Sequence, residues 1–296
     1  MYLIVGSTGM LGGEICRLLA AKGCPVKGLV RTTSDQAKVA ALKELGIQVV
    51  EGDLRDRASL EVACQGVTAV ISTVSSMPFS YKPGENDIHT VDTEGAIKLI
   101  EAAKSAGVKH FIYTSFSGNL DLDFPLRNAK RFVEKNLKDS GLTYTILRPS
   151  CFTEVWLSPA VGFDAANAKA TIYGSGTTPI SWISFLDVAK FAVESLTNPA
   201  AVNATLELGG PEPLSPLQVV QIFEKVIGKT FEVQHVPEAA LEAQQKAATD
   251  GMQQSFTALM RCYAQGDPID MQETLKAFPM QLISVREYAQ QVMTAV

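Results

Sequence analysis

Seven residues near the start of the chain, Gly6-Ser7-Thr8-Gly9-Met10-Leu11-Gly12, have the types and spacing that could hold a pyrophosphate. An apolar run at 2–5 precedes them, and Leu11, Ile15, Leu18 and Leu19 then recur at helical spacing. A strand, a glycine turn and a helix start, in that order, make up the phosphate-binding element of a dinucleotide site. In that element Gly6 permits the tight turn, Gly9 lets the main chain approach the phosphates, and Gly12 lets the helix pack closely on the strand. Unpaired N–H groups and the positive end of the helix dipole then face the anion.

The end of the second strand sets which dinucleotide is favoured, because an acidic side chain there accepts hydrogen bonds from an adenosine ribose. The run Gly28-Leu29-Val30-Arg31-Thr32 carries no acid. Arg31 can fork onto a 2′-phosphate and Thr32 can add a hydroxyl, so NADP(H) is expected in preference to NAD(H). Other strand ends should meet the same crevice: Asp53 and Leu54 at the adenine, Thr73, Val74 and Ser75 beside the ribose and nicotinamide, then Thr114 and Ser115. Pro149 and Phe152, in the stretch after a sixth strand, complete the residues expected around the cofactor.

The elements that must position these residues are legible as alternating β-rich and helical runs, the pattern of a parallel sheet covered by helices. Strands are expected at 2–5, 26–30, 48–50, 69–73, 110–114 and 144–147. A long helix carrying Ile88, Val91, Leu99, Ile100 and Ala103 lies between the fourth and fifth. Right-handed crossovers fold this half into a Rossmann-type, doubly wound α/β sheet. Residues 1–150 are expected as the dinucleotide domain and 151–296 as a smaller α+β cap, partly interleaved with it. In the cap, short strands are expected at 171–173, 180–183 and 205–208, with helices at 186–196 and 217–227. Ser215-Pro216 reads as an N-cap and first helical residue, Ser284 as the cap of a last helix, and 237–265 as helical in composition.

The 296 residues suffice for a full core, and a net charge of −5 with no basic block gives no footprint for nucleic acid. Apolar stretches are interrupted well before bilayer-spanning length, and the strand expected at Tyr2 leaves no room for a signal peptide. The five cysteines, Cys16, Cys24, Cys64, Cys151 and Cys262, match neither a disulfide framework nor a zinc site. No metal is expected. A cytoplasmic setting follows, or an organelle stroma if an import peptide has been removed.

With these residues in hand, the chain resembles the atypical short-chain dehydrogenase/reductase group that includes NmrA-like and isoflavone-reductase-like proteins. The resemblance rests on the glycine turn, Leu29-Val30-Arg31, Gly52-Asp53, the strand from His110 to Ser115 and the stretch from Lys130 to Pro149, and covers roughly 1–230. It implies a catalytic role for Lys130, fourteen residues before Tyr144, near the nicotinamide. The helix pattern, with Ala129, Phe132, Val133, Asn136 and Leu137 as its inner stripe, places Lys130 beside that stripe. One departure stands out: Leu126 occupies the place of the tyrosine that protonates the substrate in the better-known branch. His89, His110, Tyr113 and Tyr81 are the other proton-bearing candidates, the first three reading better as structural residues.

The acceptor side is expected from Ser150, Cys151, Phe152, Trp156 and the loop up to Phe163, with Met77 and Phe79, an apolar and aromatic set suited to a quinone or phenolic compound. The reading that follows is an NADP(H)-dependent reductase of a small apolar acceptor. Its rival is a non-catalytic NADP(H)-binding redox sensor or assembly factor working through a protein partner. The oligomeric state is left open.

Overall fold

The first strand, β1 (Tyr2–Val5), is apolar throughout because both its faces are covered. Leu3 and Val5 join one buried cluster while Ile4, on the alternate face, is equally buried. The computed structural model, which describes residues 1–77 and 81–294, continues through α1 (Met10–Ala21), β2 (Val26–Val30), α2 (Gln36–Glu44), β3 (Gln48–Glu51), α3 (Arg57–Cys64) and β4 (Ala69–Ser72). A π-helical run, Ile88–Gly95, leads into α4 (Ala96–Ser105), so the expected single helix is two helical forms in series. The apolar spacing of the two is alike, which is why periodicity does not separate them.

Next come β5 (His110–Thr114), α5 (Pro125–Asp139) and β6 (Thr143–Pro149). With β9 (Ala204–Leu208) these strands form a seven-stranded sheet in the order β3-β2-β1-β4-β5-β6-β9, and every pair from β3 to β6 is parallel. The chain runs outward from β1 to β3 and then restarts beside β1 at β4. The carboxyl ends of β1 and β4 therefore flank the point where such sheets open a ligand crevice.

The chain divides into two compact units, each drawn from several segments. The first comprises 1–115, 128–148 and 188–206, and the second 116–127, 149–187 and 207–296. In the second, β8 (Lys169–Tyr173) lies between β10 (Glu232–Val236), which is parallel to it, and β7 (Phe163–Asp164), which is antiparallel. Phe163, Phe223 and Phe231 pack edge-on or tilted at 4.8–6.3 Å between ring centres, and Trp156, Tyr173 and Trp182 surround Tyr263. The stretch at 237–265 is two helices, Glu238–Ala247 and Gly251–Gln265, the second carrying Tyr263 into that core. Ser215 and Ser284 cap the helices that follow them.

Among the described residues no strand forms at 180–183, where one is expected. These residues are buried and pair through isolated bridges, Ile180 with Leu214 and Asp267 and Ile183 with Phe152. Their partners change too quickly for a ladder to form, although burial gives them the apolar look of a strand. In the opposite direction, β10 is half-exposed along its length and β7 has two residues, so neither has a strong apolar pattern. Among the described residues no helix is long and apolar enough to cross a membrane.

Candidate functional site

A crevice of about 450 Å³ opens in the first unit at the carboxyl ends of β1 to β4. Gly6 turns the chain with φ +90°, and a Cβ there would lie 2.6 Å from Thr73 Oγ1. At Gly12 a Cβ would sit 2.7 Å from the Gly6 carbonyl carbon and closer still to its oxygen. Both positions exclude a side chain for the reasons the motif requires. Among the described residues no side chain caps the start of α1, whereas α2 and α3 are capped by Asp35 and Asp56. Its first N–H groups thus remain for a ligand at the crevice, where Thr8, Gly9 and Met10 form the wall.

Ser7 and Leu11 turn away from that wall. The Ser7 hydroxyl donates to Leu29 O at 2.8 Å in the core, and Leu11 is buried, so only their main chain is available to the crevice. Beyond β2, Arg31 faces the opening and its Nη1 donates to Asn86 Oδ1 at 2.9 Å. Thr32 is exposed and lies outside the lining. Ser34, Lys38 and Asn86, none of them expected from sequence, line the crevice instead. Lys38 lies in the first turn of α2, after the Ser34-Asp35 start of that helix.

Asp53 and Leu54 line the same end, but the Asp53 carboxylate is already gripped by Arg55 through Nε at 2.9 Å and Nη2 at 2.6 Å. That guanidinium holds the Asp53 carboxyl below the usual range. Arg55 also reaches Glu85 O at 2.7 Å, so Asp53 anchors the turn next to Asn86. Thr73, Val74, Ser75 and Met77 form the wall beyond β4; Thr73 Oγ1 donates to Val5 O at 3.2 Å.

Lys130 is deeply buried, which overturns the expectation that it lies beside the inner stripe of α5. Phe132 is 51% exposed, and the buried stripe is Leu126, Ala129, Lys130, Val133, Glu134 and Leu137. The charged members are tolerated because each is paired. Lys130 Nζ lies 3.6 Å from Asp92 Oδ1, donates to Val74 O at 3.1 Å and Thr114 O at 3.5 Å, and stands 5.2 Å from the centre of the Tyr113 ring. It therefore meets the chain at the carboxyl ends of β4 and β5. Thr114 is buried and its hydroxyl has no hydrogen-bond partner among the described residues, and Ser115 Oγ accepts from Arg131 at 3.3 Å.

Glu134 joins Arg131 Nη1 at 2.7 Å and is also bonded by Arg148. Burial pushes its carboxyl up, but Arg148, Ser115 and Arg131 together pull it below the usual glutamate range. A folded value below the unfolded one stabilises the fold above about pH 4.3 and is lost as the pH falls through the folded value. Glu134→Gln should cost about 2 kcal/mol by urea unfolding at neutral pH. The gap to the unaltered protein should close below about pH 4; a gap independent of pH would contradict this account.

The other proton-bearing candidates are placed structurally. His110 Nε2 donates at 2.8 Å to the Thr145 hydroxyl, which itself donates to Ala201 O, and burial lowers the His110 pKa. His89 is exposed beside Glu94. Tyr113 is core, its buried hydroxyl without a hydrogen-bond partner among the described residues and pushed well above the usual tyrosine range by burial and by Asp92. Tyr81 is half-buried, and Phe79 lies outside the described residues.

The remaining residues expected at the site belong to the second unit. Pro149 O accepts from Ser117 N at 2.9 Å, Phe152 bridges to Ile183, and Leu126 is buried with its N–H donating to Ser255 Oγ at 3.1 Å. Phe163 is a core residue rather than part of a ligand wall, held by Phe223 and Phe231. Burial pushes the Cys151 thiol well up, in keeping with no nucleophilic role.

The sequence profile of the NmrA-like family matches residues 2–289 of the chain. The NAD(P)H azoreductase of Xenophilus azovorans is 32% identical over 283 residues, 94% of this chain and 92% of that protein. The photosystem II assembly factor Ycf39 of Trieres chinensis is 32% identical over 237 residues, 79% of this chain and 72% of that protein. Among solved structures, the NADPH-dependent quinone oxidoreductase of Escherichia coli complexed with NADPH has a TM-score of 0.78 at 25% identity, covering 99% of this chain and all 100% of that one.

Proposed function

The chain belongs to the NmrA-like family, and from that premise we propose an NADP(H)-dependent reductase that delivers hydride to a small apolar acceptor such as a quinone or phenolic compound. The observation that carries this reading is the uncapped start of α1, packed on the Gly6 turn without room for a side chain and facing the same crevice as Arg31 and Lys38. That arrangement suits a pyrophosphate at one end and a 2′-phosphate at the other. The similarity to an azoreductase and an NADPH-dependent quinone oxidoreductase supports the reaction class.

When bound, the dinucleotide supplies the hydride. The chain's own residues do the rest. Gly6, Gly9 and Gly12 bring main chain to the phosphates, Arg31 and Lys38 neutralise the 2′-phosphate, and Leu54 and Val74 cover apolar ring surface. Lys130, behind Val74 and Thr114, places a positive charge where negative charge develops on the acceptor. Asp53 serves through Arg55 as an anchor rather than by accepting from the adenine.

Arg31→Asp is expected to weaken NADPH binding about a hundredfold, by loss of a charge-assisted fork and gain of repulsion. NADH binding should change less than about threefold, because it lacks the group that Arg31 meets. Calorimetric titration with both dinucleotides checks this, and equal losses would remove the 2′-phosphate assignment.

A second reading has its own support. Leu126 supplies no acid where a tyrosine would stand, and the similarity to an assembly factor fits a protein that binds NADP(H) and acts through a protein partner. Tight NADPH binding with no oxidation by any acceptor, together with one stoichiometric protein partner, is the result that reading expects.

A further inference from the structure

Asp92 is a fully buried carboxylate to which the crevice by itself gives no task. It sits on the π-helical run before α4, and its Oδ2 accepts from Ser76 N at 3.0 Å and Ser76 Oγ at 2.5 Å. Among the described residues its Oδ1 has no hydrogen-bond donor, and it faces Lys130 Nζ at 3.6 Å. Ser76 directly follows Thr73, Val74 and Ser75, the wall of the crevice beyond β4. One oxygen is thus clamped by the wall segment and the other aimed at the ammonium.

We propose that Asp92 is the positioning residue for Lys130, holding its ammonium charged and drawn to the carbonyl ends of β4 and β5, so that site geometry and the lysine's charge depend on one pair. This rests on the placement of Lys130 at the nicotinamide end of the site. Burial pulls Lys130 below the usual lysine range, and Asp92 opposes it more strongly than Glu134 does. Of the other groups around the lysine, Tyr113 stays protonated in its buried position, and Glu134 is occupied by Arg131 and Arg148. Asp92 is then the neighbour whose charge governs whether Lys130 carries its own.

Asp92→Asn keeps the shape and removes the charge. The basic limb of the kcat/KM profile for NADPH oxidation by a quinone should move down by about one to two pH units. Asp92→Glu, which restores the charge, should bring the limb back to within about half a unit. Ser76→Ala, which leaves every charge in place and opens only an oxygen-sized gap, should move the limb the same way by less, and it tests the clamp even if Asp92→Asn folds poorly. Profiles of Asp92→Asn and Ser76→Ala that superimpose on that of the unaltered protein would overturn the proposal. Lys130 titration is also read directly, by NMR of protein carrying ε-¹³C-lysine, with Lys130→Arg identifying the signal. A chain that binds NADPH but oxidises none contradicts the reductase reading. In that case the NMR titration still decides for Asp92: a lowered lysine midpoint in Asp92→Asn supports it, and an unchanged one overturns it.

Discussion

Gly12→Ala is expected to lose about 2–3 kcal/mol of stability and at least about a hundredfold in NADPH affinity. The added Cβ would fall 2.7 Å from the Gly6 carbonyl carbon, with Thr73 Oγ1 at 3.0 Å on the other side. Neither neighbour is the loose end of a flexible side chain. The helix must therefore retreat from the turn, and its N–H groups retreat from the phosphates with it. Gly13→Ala is the internal control, because its Cβ would meet only Ser7 O, at 3.5 Å, an ordinary contact. That substitution should leave binding within about threefold and raise stability by up to about 1 kcal/mol through helix propensity. Calorimetry and urea unfolding on the pair separate the two effects, and similar losses in both variants would contradict the close-packing role of Gly12.

Lys130→Met is expected to lower turnover by about 10²–10⁴ while leaving NADPH affinity within about an order of magnitude. The lysine sits behind Val74 and Thr114, and in the proposed reaction it acts on developing charge, whereas the phosphates would be held at the Gly6 turn. The same substitution strands Asp92 in the core with Ser76 as its partner, a loss of about 3–5 kcal/mol. Adding Asp92→Asn to Lys130→Met should recover a good part of that stability without recovering turnover, since the two residues are in contact and their effects are not additive. Unchanged turnover in Lys130→Met would remove the lysine from the mechanism.

The sheet was legible in the sequence because parallel strands covered on both faces read as continuous apolar runs, and the glycine turn because its spacing is fixed by local sterics. The buried charges were not legible. Phe132 offered the apolar signal for an inner position, yet it faces solvent, while Lys130 and Glu134 occupy the stripe through partners far away in sequence, Asp92 and Arg148. Asp53 reads from sequence as an acceptor for the adenine, but Arg55, two residues on, folds back onto its carboxylate. Lys38 was missed because its relevance depends on how the short turn after β2 aims α2, a matter of tertiary placement rather than pattern.

In the proposed reaction the crevice holds NADPH and the protein moves its hydride to a small apolar acceptor such as a quinone or phenolic compound. Mixing the protein with NADPH and a panel of quinones, azo compounds and phenolic ethers, and following the reduced nicotinamide by its absorbance, tests it most directly. Saturable oxidation with at least one acceptor is expected, slowed by Lys130→Met and by Arg31→Asp, with NADPH preferred over NADH. Tight NADPH binding with no oxidation across the whole panel would contradict it.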